Sequence, residues 1–138
     1  MRAFVDTSVL LHAFGGESPF RHASRELVAQ SLGAGSLHVG AEALQEFIFH
    51  RLRVSPRDEA ISLSRRLAKG LVVHPLDEDV FDDALTIMER STLRGRDAVL
   101  AATAIRAGFT QVVTHDERWP AIAGLQPVSA VEFLTSAS

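Results

Sequence analysis

The sequence predicts an α/β fold in which a parallel sheet is flanked by helices. Short apolar runs of strand type alternate along the chain with longer stretches of helical periodicity, an order typical of strands joined by helical crossovers. In addition, residues 98–107 are apolar on nearly every side, as in a helix that neighbouring elements bury all round. The strand-type runs are residues 3–5, 37–39, 71–73 and 112–113 and the surroundings of Val128.

Helical periodicity predicts three helices in the first half of the chain. They cover about residues 20–31, 41–53 and 57–69. Pro56 is expected to open the third of them at its first turn, where the missing N–H of proline costs nothing. We therefore expect helices to separate the first three strands.

Two further helices are predicted in the second half of the chain. One contains the apolar repeat of residues 80–88, and either Asp77 or Asp79 is expected to cap it. The other is the apolar stretch 98–107, which is expected to end before Gly108 because glycine readily adopts the left-handed conformation of a helix C-terminus.

The end of the chain is predicted to form a short helix. Ser129 and Glu132 have the spacing of a capping box, and residues 135–138 are expected to be frayed. No internal repeat or low-complexity segment interrupts the chain. A length of 138 residues with 46% hydrophobic and 22% charged content predicts one compact domain, residues 1–138.

The composition also bears on the compartment. The absence of cysteine excludes a disulfide framework and a thiolate zinc site, and it fits a reducing compartment, so we expect a cytoplasmic protein. The first residues lack the charged and apolar regions of a secretory signal. No apolar run approaches the roughly 20 residues that a membrane helix needs, and no membrane contact is expected.

Three aspartates are predicted to meet at one edge of the sheet. Asp6 directly follows the strand of residues 3–5, Asp116 closely follows the strand that ends near Val113, and Asp97 opens the buried helix. Ligands of open α/β sheets bind outside the carboxyl ends of the strands. Taken singly, each aspartate is explained at least as well by helix capping or a turn. The combination predicts an acidic site.

Glu46 is the fourth candidate acid. It points away from the apolar stripe of its helix, so simple exposure to solvent explains it as well as a place in a cleft does. Glu42 lies one turn earlier on the same face and is the substitute candidate. The stripe is formed by Ala43, Leu44, Phe47, Ile48 and Leu52.

Converging carboxylates need a counter-charge. Two like charges about 5 Å apart repel by roughly 3 kcal/mol at an effective dielectric of 20, and a domain is stable by only about 5–15 kcal/mol. Protons or cations must therefore be present. Oxygen ligands favour Mg²⁺ or Mn²⁺, which points to phosphate chemistry. The hydroxyls of Thr7, Ser8 and Thr114 are placed to position water or carboxylates, although helix capping explains Ser8 equally well.

The charge balance is compatible with nucleic-acid binding but does not demand it. A net charge of −3 argues against a general nucleic-acid coat, but the balance turns slightly positive once the four acids are neutralised. Arginine suits phosphate oxygens, while a solvated helix face is the simpler explanation for any single arginine. The arginines occur in groups, namely Arg51, Arg53 and Arg57; Arg65 and Arg66; and Arg90, Arg94 and Arg96. The six histidines show no paired ligand spacing, and His115 is of interest only as the neighbour of Asp116.

Four segments of the chain together carry a resemblance to a known family. They are Phe4-Val5-Asp6-Thr7-Ser8, Ala43-Leu44-Gln45-Glu46-Phe47, Asp97 to Ala104 with Gly108 after it, and Val113-Thr114-His115-Asp116. These segments resemble the PIN-domain nucleases, and among them the VapC-type toxins of bacterial and archaeal toxin–antitoxin systems. Their order and spacing extend the resemblance over nearly the whole chain. Where the family often has an acid and an aromatic after the last aspartate, this chain has Glu117-Arg118-Trp119-Pro120, which keeps the pattern loosely.

The resemblance implies a three-layer fold of about five parallel strands between helices. It also implies a catalytic pocket of Asp6, Glu46, Asp97 and Asp116 that cleaves single-stranded RNA. Asp6, Asp97 and Asp116 would bind Mg²⁺ or Mn²⁺, and Glu46 would position the metal or the water. A homodimer, and an antitoxin encoded nearby that blocks the pocket, are implied as partners.

Other classes of protein fit the sequence less well. A non-catalytic RNA-binding module with the same fold is the main alternative, although all four acids are present. A phosphoacceptor signalling domain generally needs a lysine at the last strand, and the sole lysine is Lys69. A small-molecule phosphatase would need a second aspartate two residues after Asp6, where Ser8 stands. The glycine-rich loop of nucleotide-binding proteins is absent.

Overall fold

Parallel strands form the centre of the fold. A computed structural model describes residues 2–137. The strands are β1 (Ala3–Phe4), β2 (Leu37–Gly40), β3 (Val72–His74), β4 (Gln111–Val113) and β5 (Gln126–Val128). β1, β2 and β3 pair in that order, and β4 pairs with β5.

A single parallel bridge between Val5 and Val113 joins the two groups of strands, and the Asp6 N–H donates to the Val113 carbonyl oxygen at 2.9 Å. The spatial order is therefore β3-β2-β1-β4-β5. The predicted α/β class with parallel strands is confirmed, and the sheet consists of two ladders joined at one point.

Helices flank the strands in the order that the sequence predicts. Their bounds are α1 (Thr7–Ala13), α2 (Arg21–Ser31), α3 (Ala41–Val54), α4 (Arg57–Gly70), α5 (Glu78–Arg90), α6 (Gly95–Arg106) and α7 (Ala130–Ala137). All but α1 were predicted within a few residues. α1 escaped prediction because it has only seven residues, which is two turns and too short for a helical period to stand out.

Helix termini bear out several expectations. Asp77 caps α5, because its Oδ1 accepts the Val80 N–H at 3.0 Å, which excludes Asp79 as the cap. Gly108 follows α6 with a φ of +90°, a conformation that other residues adopt only with strain. Pro56 is the N-cap of α4 and not a first-turn residue, so its predicted place was wrong by one position.

The capping box at the end of the chain is present. The Ser129 N–H donates to Glu132 Oε1 at 3.1 Å, and the Glu132 N–H donates to Ser129 Oγ at 3.0 Å. α7 continues to Ala137, and the fraying expected for residues 135–138 stays a prediction. Residue 138 lies outside the described part of the chain.

The core is divided by the sheet into two clusters, which gives three layers. Successive strand residues point to opposite faces, so Val5 packs with α1, α2 and α3 while Phe4 packs with α5 and α6. In β4, Val113 belongs to the same cluster as Val5, and Val112 belongs to the same cluster as Phe4. Because helices cover both faces, apolar residues predominate in the strands, and the polar residues in them are His38, His74, Gln111 and Gln126.

α6 is the most deeply buried helix. Its buried residues are Ala98, Leu100, Ala101, Ala102, Thr103 and Ala104. Their small side chains let α6 pack closely against α5 and the sheet, and this fixes its first turn, with Asp97, beside the carboxyl ends of β1 and β4. No helix within residues 2–137 is long and apolar enough to cross a membrane.

Candidate active site

The four acids predicted from the sequence line one cleft of about 760 Å³. Asp6 follows β1, Asp116 follows β4, Asp97 lies in the first turn of α6 and Glu46 lies in the middle of α3. The cleft therefore opens at the carboxyl ends of the two central strands, where ligands of parallel sheets bind. The structure brings all four residues together at the expected edge.

Asp6 is held at the bottom of the cleft by hydroxyl groups. It occupies the N-cap position of α1, yet its side chain makes no capping hydrogen bond. Its Oδ2 instead accepts hydrogen bonds from Thr114 Oγ1 at 2.8 Å and Ser8 Oγ at 3.2 Å. Capping therefore does not account for the Asp6 carboxylate.

Burial raises the pKa of Asp6 above its ordinary value of 3.8. The hydrogen bonds from Thr114 and Ser8 oppose this rise, and repulsion from Glu46 adds to it. A carboxylate that is largely removed from water without a paired cation is costly to ionise. Asp6 is thus a site that would gain from a nearby positive charge.

Asp97 is in the same electrostatic situation. Burial raises its pKa above 3.8, and repulsion from Asp6 and Asp116 raises it further. Arg96 and Arg118 lower it, but they do not cancel these effects. The carboxylates of Asp6 and Asp97 therefore oppose each other's ionisation.

Glu46 and Asp116 are each paired with an arginine. Arg96 Nη1 lies 2.6 Å from Glu46 Oε1, and Arg118 Nε lies 3.1 Å from Asp116 Oδ1. The hydrogen bonds from Arg118 hold the pKa of Asp116 below its ordinary value. Both arginine side chains are exposed, at 74% for Arg96 and 91% for Arg118, so they can swing away from the carboxylates.

Glu42, the substitute for Glu46, does not line the main cleft. It borders a smaller adjoining cavity of about 330 Å³ together with Glu46 and Arg96. Both of its carboxylate oxygens are buried without a hydrogen-bond partner among the described residues. Burial raises the pKa of Glu42, and repulsion from Asp6 and Glu46 contributes to the rise. Glu42 thus adds to the negative charge behind the cleft, while Glu46 faces it.

The buried hydroxyl of Thr114 connects two of the acids. It donates to Asp6 Oδ2 and accepts the Asp116 N–H at 3.1 Å. Ser8 makes a parallel link, because its hydroxyl donates to Asp6 and accepts the His115 N–H at 3.2 Å. The sequence suggested that these hydroxyls position carboxylates, and their hydrogen bonds do connect to Asp6. Thr7 lines the cleft as well.

An aromatic wall formed by His12, Phe20 and His115 was not predicted. All three residues line the cleft. Burial and, to a smaller extent, His12 lower the pKa of His115 to about 4, so His115 is neutral at pH 7. No local spacing in the sequence signals this wall, because His115 comes from a part of the chain far from His12 and Phe20. Glu117, whose role the sequence did not define, also lines the cleft.

Two other histidines form a pair outside the cleft. His38 Nδ1 and His74 Nε2 lie 2.9 Å apart on the neighbouring strands β2 and β3. Burial lowers the pKa of both residues, and Arg2 adds to this effect. Their position beside Phe4 and Phe109 in the core separates them from the acids.

The donors of the cleft suit a hard divalent cation. Four carboxylates supply only oxygen ligands, which Mg²⁺ and Mn²⁺ prefer. As placed, no three acidic or histidine side chains within residues 2–137 converge closely enough to hold an ion. Glu46 and Asp116 are paired with Arg96 and Arg118, while burial and repulsion between carboxylates raise the pKa values of Asp6 and Asp97.

The fold and the site together define an α/β protein in which four carboxylates line one cleft at the carboxyl edge of a parallel sheet. A family model described as the PIN domain matches residues 3–125. Ribonuclease VapC7 of Mycobacterium tuberculosis is 37% identical over 131 residues, which cover 90% of this chain and 86% of that protein. The chain therefore belongs to the PIN-domain family and, within it, to the VapC group.

Solved structures agree with this assignment at the level of the fold. The DNA-bound VapBC of Salmonella typhimurium matches with a TM-score of 0.72 and 17% identity over 94% of this chain and 99% of that chain. VapC20 of Mycobacterium tuberculosis, described as a sarcin-ricin loop cleaving toxin, matches with a TM-score of 0.68 and 18% identity over 84% and 91% of the two chains.

Proposed function

We propose that this protein is a Mg²⁺- or Mn²⁺-dependent endoribonuclease and the toxin of a type II toxin–antitoxin system, which cleaves single-stranded or structured RNA in the acidic cleft. The observation that carries the proposal is the convergence of Asp6, Glu46, Asp97 and Asp116 on one cleft. The ribonuclease name of a relative with 37% identity supports the choice of RNA.

In this proposal Asp6, Asp97 and Asp116 hold the divalent cation, and Glu46 positions the cation or the attacking water. A bound cation would activate water and stabilise the charge on the oxygens of the phosphate. Thr114 and Ser8 orient the Asp6 carboxylate through their hydrogen bonds. Carboxylates that are oriented by such contacts bind metal more tightly than free ones.

The two exposed arginines have a second role in the proposal. When Glu46 and Asp116 turn towards a cation, Arg96 and Arg118 lose their partners at the mouth of the cleft. Their guanidinium groups are then free to bind the phosphates that flank the cleavage point, which arginine does with two parallel hydrogen bonds. The same side chains would thus neutralise the acids in the free protein and guide RNA in the complex.

An antitoxin and a second copy of the chain are the proposed protein partners. Several matching solved structures are toxin–antitoxin complexes, including the VapBC of Salmonella typhimurium. α3 and α4 expose apolar side chains of the kind that interfaces cover, namely Phe49, Leu52, Val54 and Ile61. Sedimentation of the purified chain, with and without the protein encoded next to it, tests both partners.

RNA cleavage tests the proposed activity. The purified protein is incubated with a pool of structured RNA in Mg²⁺, Mn²⁺ or EDTA, beside Asp6→Asn, Asp97→Asn and the control Asp82→Asn, which changes an exposed acid on α5. We expect metal-dependent cleavage by the parent and the control, and a loss of roughly 100-fold or more in the two cleft variants, because metal stabilisation of the transition state amounts to several kcal/mol.

Two outcomes would contradict the proposal. Equal cleavage by all variants would show that the acids are not the catalyst. RNA binding without turnover, unchanged by Asp97→Asn, would favour the alternative of a non-catalytic RNA-binding module. Circular dichroism of each variant shows whether it is folded, and mass spectrometry shows whether a copurified partner blocks the sample.

A further inference from the structure

One wall of the cleft is made of aromatic rings. The Phe20 ring stacks on His115 with a centroid distance of 4.6 Å and an interplanar angle of 27°. His12 meets both rings edge-on, at centroid distances of 5.1 Å from Phe20 and 5.2 Å from His115. These rings and the carboxylates line the same cavity.

Hydrogen bonds hold the two imidazole rings in place. His115 Nε2 lies 2.8 Å from Ser24 Oγ on α2, and His12 Nδ1 lies 2.9 Å from Ser18 Oγ in the segment before α2. The orientation of the wall is therefore set before any ligand binds. A surface ordered in advance binds more tightly, because a ligand does not have to order it.

Phe20 remains accessible in this arrangement. It is 38% exposed, although it packs on two other rings. It also borders a neighbouring cavity of about 220 Å³, which His115, Asp116 and Trp119 line as well. A partly exposed aromatic ring between two cavities costs hydrophobic stabilisation, and contact with a ligand would recover it.

The position of the wall restricts what that ligand can be. In the proposed function, the phosphate to be cleaved lies at the carboxylates, so the nucleoside attached to it must lie next to them. An unpaired base offers a flat face, and aromatic side chains bind such faces with little dependence on sequence. The wall offers rings to this base, while the arginines at the rim offer charge to the backbone.

We propose that Phe20 and His115 form a stacking platform for an unpaired RNA base beside the phosphate that is cleaved. This inference rests on the proposed ribonuclease function and specifies its substrate as a single-stranded or looped-out nucleotide. Phe20 supplies the accessible ring, and His115 supports it from behind. Stacking selects against a base that is paired within a duplex, because a paired base must first be unstacked.

A binding assay tests the platform separately from cleavage. The probe is a short unstructured RNA oligonucleotide that carries one 2-aminopurine, whose fluorescence falls when it stacks. The platform variants are made on the Asp97→Asn background so that the RNA stays intact. The series consists of Phe20→Ala, Phe20→Leu, Phe20→Trp and the control Phe81→Ala, which removes an exposed phenylalanine on α5.

We expect binding to quench the probe with the background protein, with Phe20→Trp and with Phe81→Ala. Phe20→Ala and Phe20→Leu are expected to abolish the quenching and weaken RNA binding roughly 5- to 150-fold, the range measured for base–aromatic stacking. The leucine variant keeps apolar bulk but lacks a ring, so it separates stacking from simple packing.

An abasic nucleotide at the probe position excludes a purely structural role for Phe20. The missing base should weaken binding to the background protein and have little further effect on Phe20→Ala, because both changes remove the same contact. Additive losses, or full quenching with Phe20→Leu, would overturn the platform. If the parent protein cleaves no RNA but the quenching pattern holds, the proposed nuclease function fails and the platform stands. If cleavage is metal-dependent and the pattern is absent, the platform alone fails.

Discussion

The acids at the bottom of the cleft, here called the floor, and those at its mouth, called the rim, differ in how far their negative charge is compensated. The floor consists of Asp6 and Asp97, whose pKa values are raised by burial and by repulsion between carboxylates. The rim consists of Glu46 and Asp116, and each of these acids has an exposed arginine within hydrogen-bond distance. Four residues of the same chemistry thus have two different electrostatic environments within one cavity.

The difference follows from where the residues lie in the fold. The floor acids stand at the end of β1 and at the start of the buried helix α6, where surrounding elements partly remove them from water, and neither forms an ion pair with an arginine within residues 2–137. The rim acids lie towards solvent, where a flexible arginine can reach them at little cost. In the proposed function a cation would relieve the repulsion at the floor, whereas each acid of the rim already has an arginine partner.

Adding a divalent cation should have the largest effect on this contrast. Mg²⁺ or Mn²⁺ at 100 times its dissociation constant is expected to raise the free energy of unfolding by about 2.7 kcal/mol, because it relieves the repulsion at the floor. Urea unfolding in metal or EDTA, at matched ionic strength, measures the effect. Asp97→Asn should remove most of it and Asp82→Asn none. Equal stability in saturating metal and in EDTA would contradict the assignment of the floor.

Removing the hydroxyl that connects floor and rim should come next in size. Thr114→Val deletes the donor to Asp6 and the acceptor for the Asp116 N–H. We expect unfolding to become easier by about 1–3 kcal/mol, since a buried group loses its partner, and metal binding to weaken about 10- to 100-fold. Calorimetric titration with Mn²⁺ measures the binding. Thr114→Ser keeps the hydroxyl and should retain most of the affinity, and a valine variant with unchanged affinity would refute this role.

Neutralising the floor itself should stabilise the metal-free protein. The pKa of Asp6 is raised on folding, so the folded protein binds its proton more tightly than the unfolded chain, and stability falls as the pH rises above 3.8. Asp6→Asn removes this loss and should raise the free energy of unfolding of the metal-free protein at pH 7.

The pH dependence provides the control for that variant. Urea unfolding in EDTA between about pH 4 and pH 7 should show a shrinking advantage of Asp6→Asn towards low pH, where the parent carboxyl is protonated. An advantage that grows as the pH falls would mean that the pKa of Asp6 is lowered on folding, and the floor would then not differ from the rim.

Breaking a rim ion pair should have the smallest effect on stability. Arg118→Gln should leave the unfolding free energy nearly unchanged, because exposed ion pairs contribute little. The pKa of Asp116 should rise towards 3.8, since Arg118 is the main cause of its lowering. Carboxyl titration by NMR measures that shift. Arg106→Gln, which breaks an exposed pair with Asp83 on α5 and α6, is the matched control and should not move the pKa of Asp116.

Much of the fold could be predicted because it depends on local patterns. Strand-type runs and helical periods indicated every strand and six of the helices, and short-range chemistry indicated the caps at Asp77 and Ser129. The missed helix α1 has too few residues for a period, and its formation depends on burial of Val9 and Leu10 against the sheet. Local propensity cannot report that burial.

The convergence of the four acids could also be predicted, since the carboxyl ends of adjacent parallel strands must share one edge. By itself, then, the sequence determined the α/β class, the order of its elements and the set of carboxylates at one edge, all of which follow from residue type and spacing.

Only the tertiary structure decided how those carboxylates are balanced and what stands beside them. The Arg96–Glu46 pair joins positions 50 residues apart, and the stack of Phe20 on His115 joins the N-cap of α2 to the segment after β4. Burial, which separates the floor from the rim, depends on all the layers around the cleft at once. Each of these features depends on contacts between residues that are far apart in the sequence, so no local pattern in the chain predicts them.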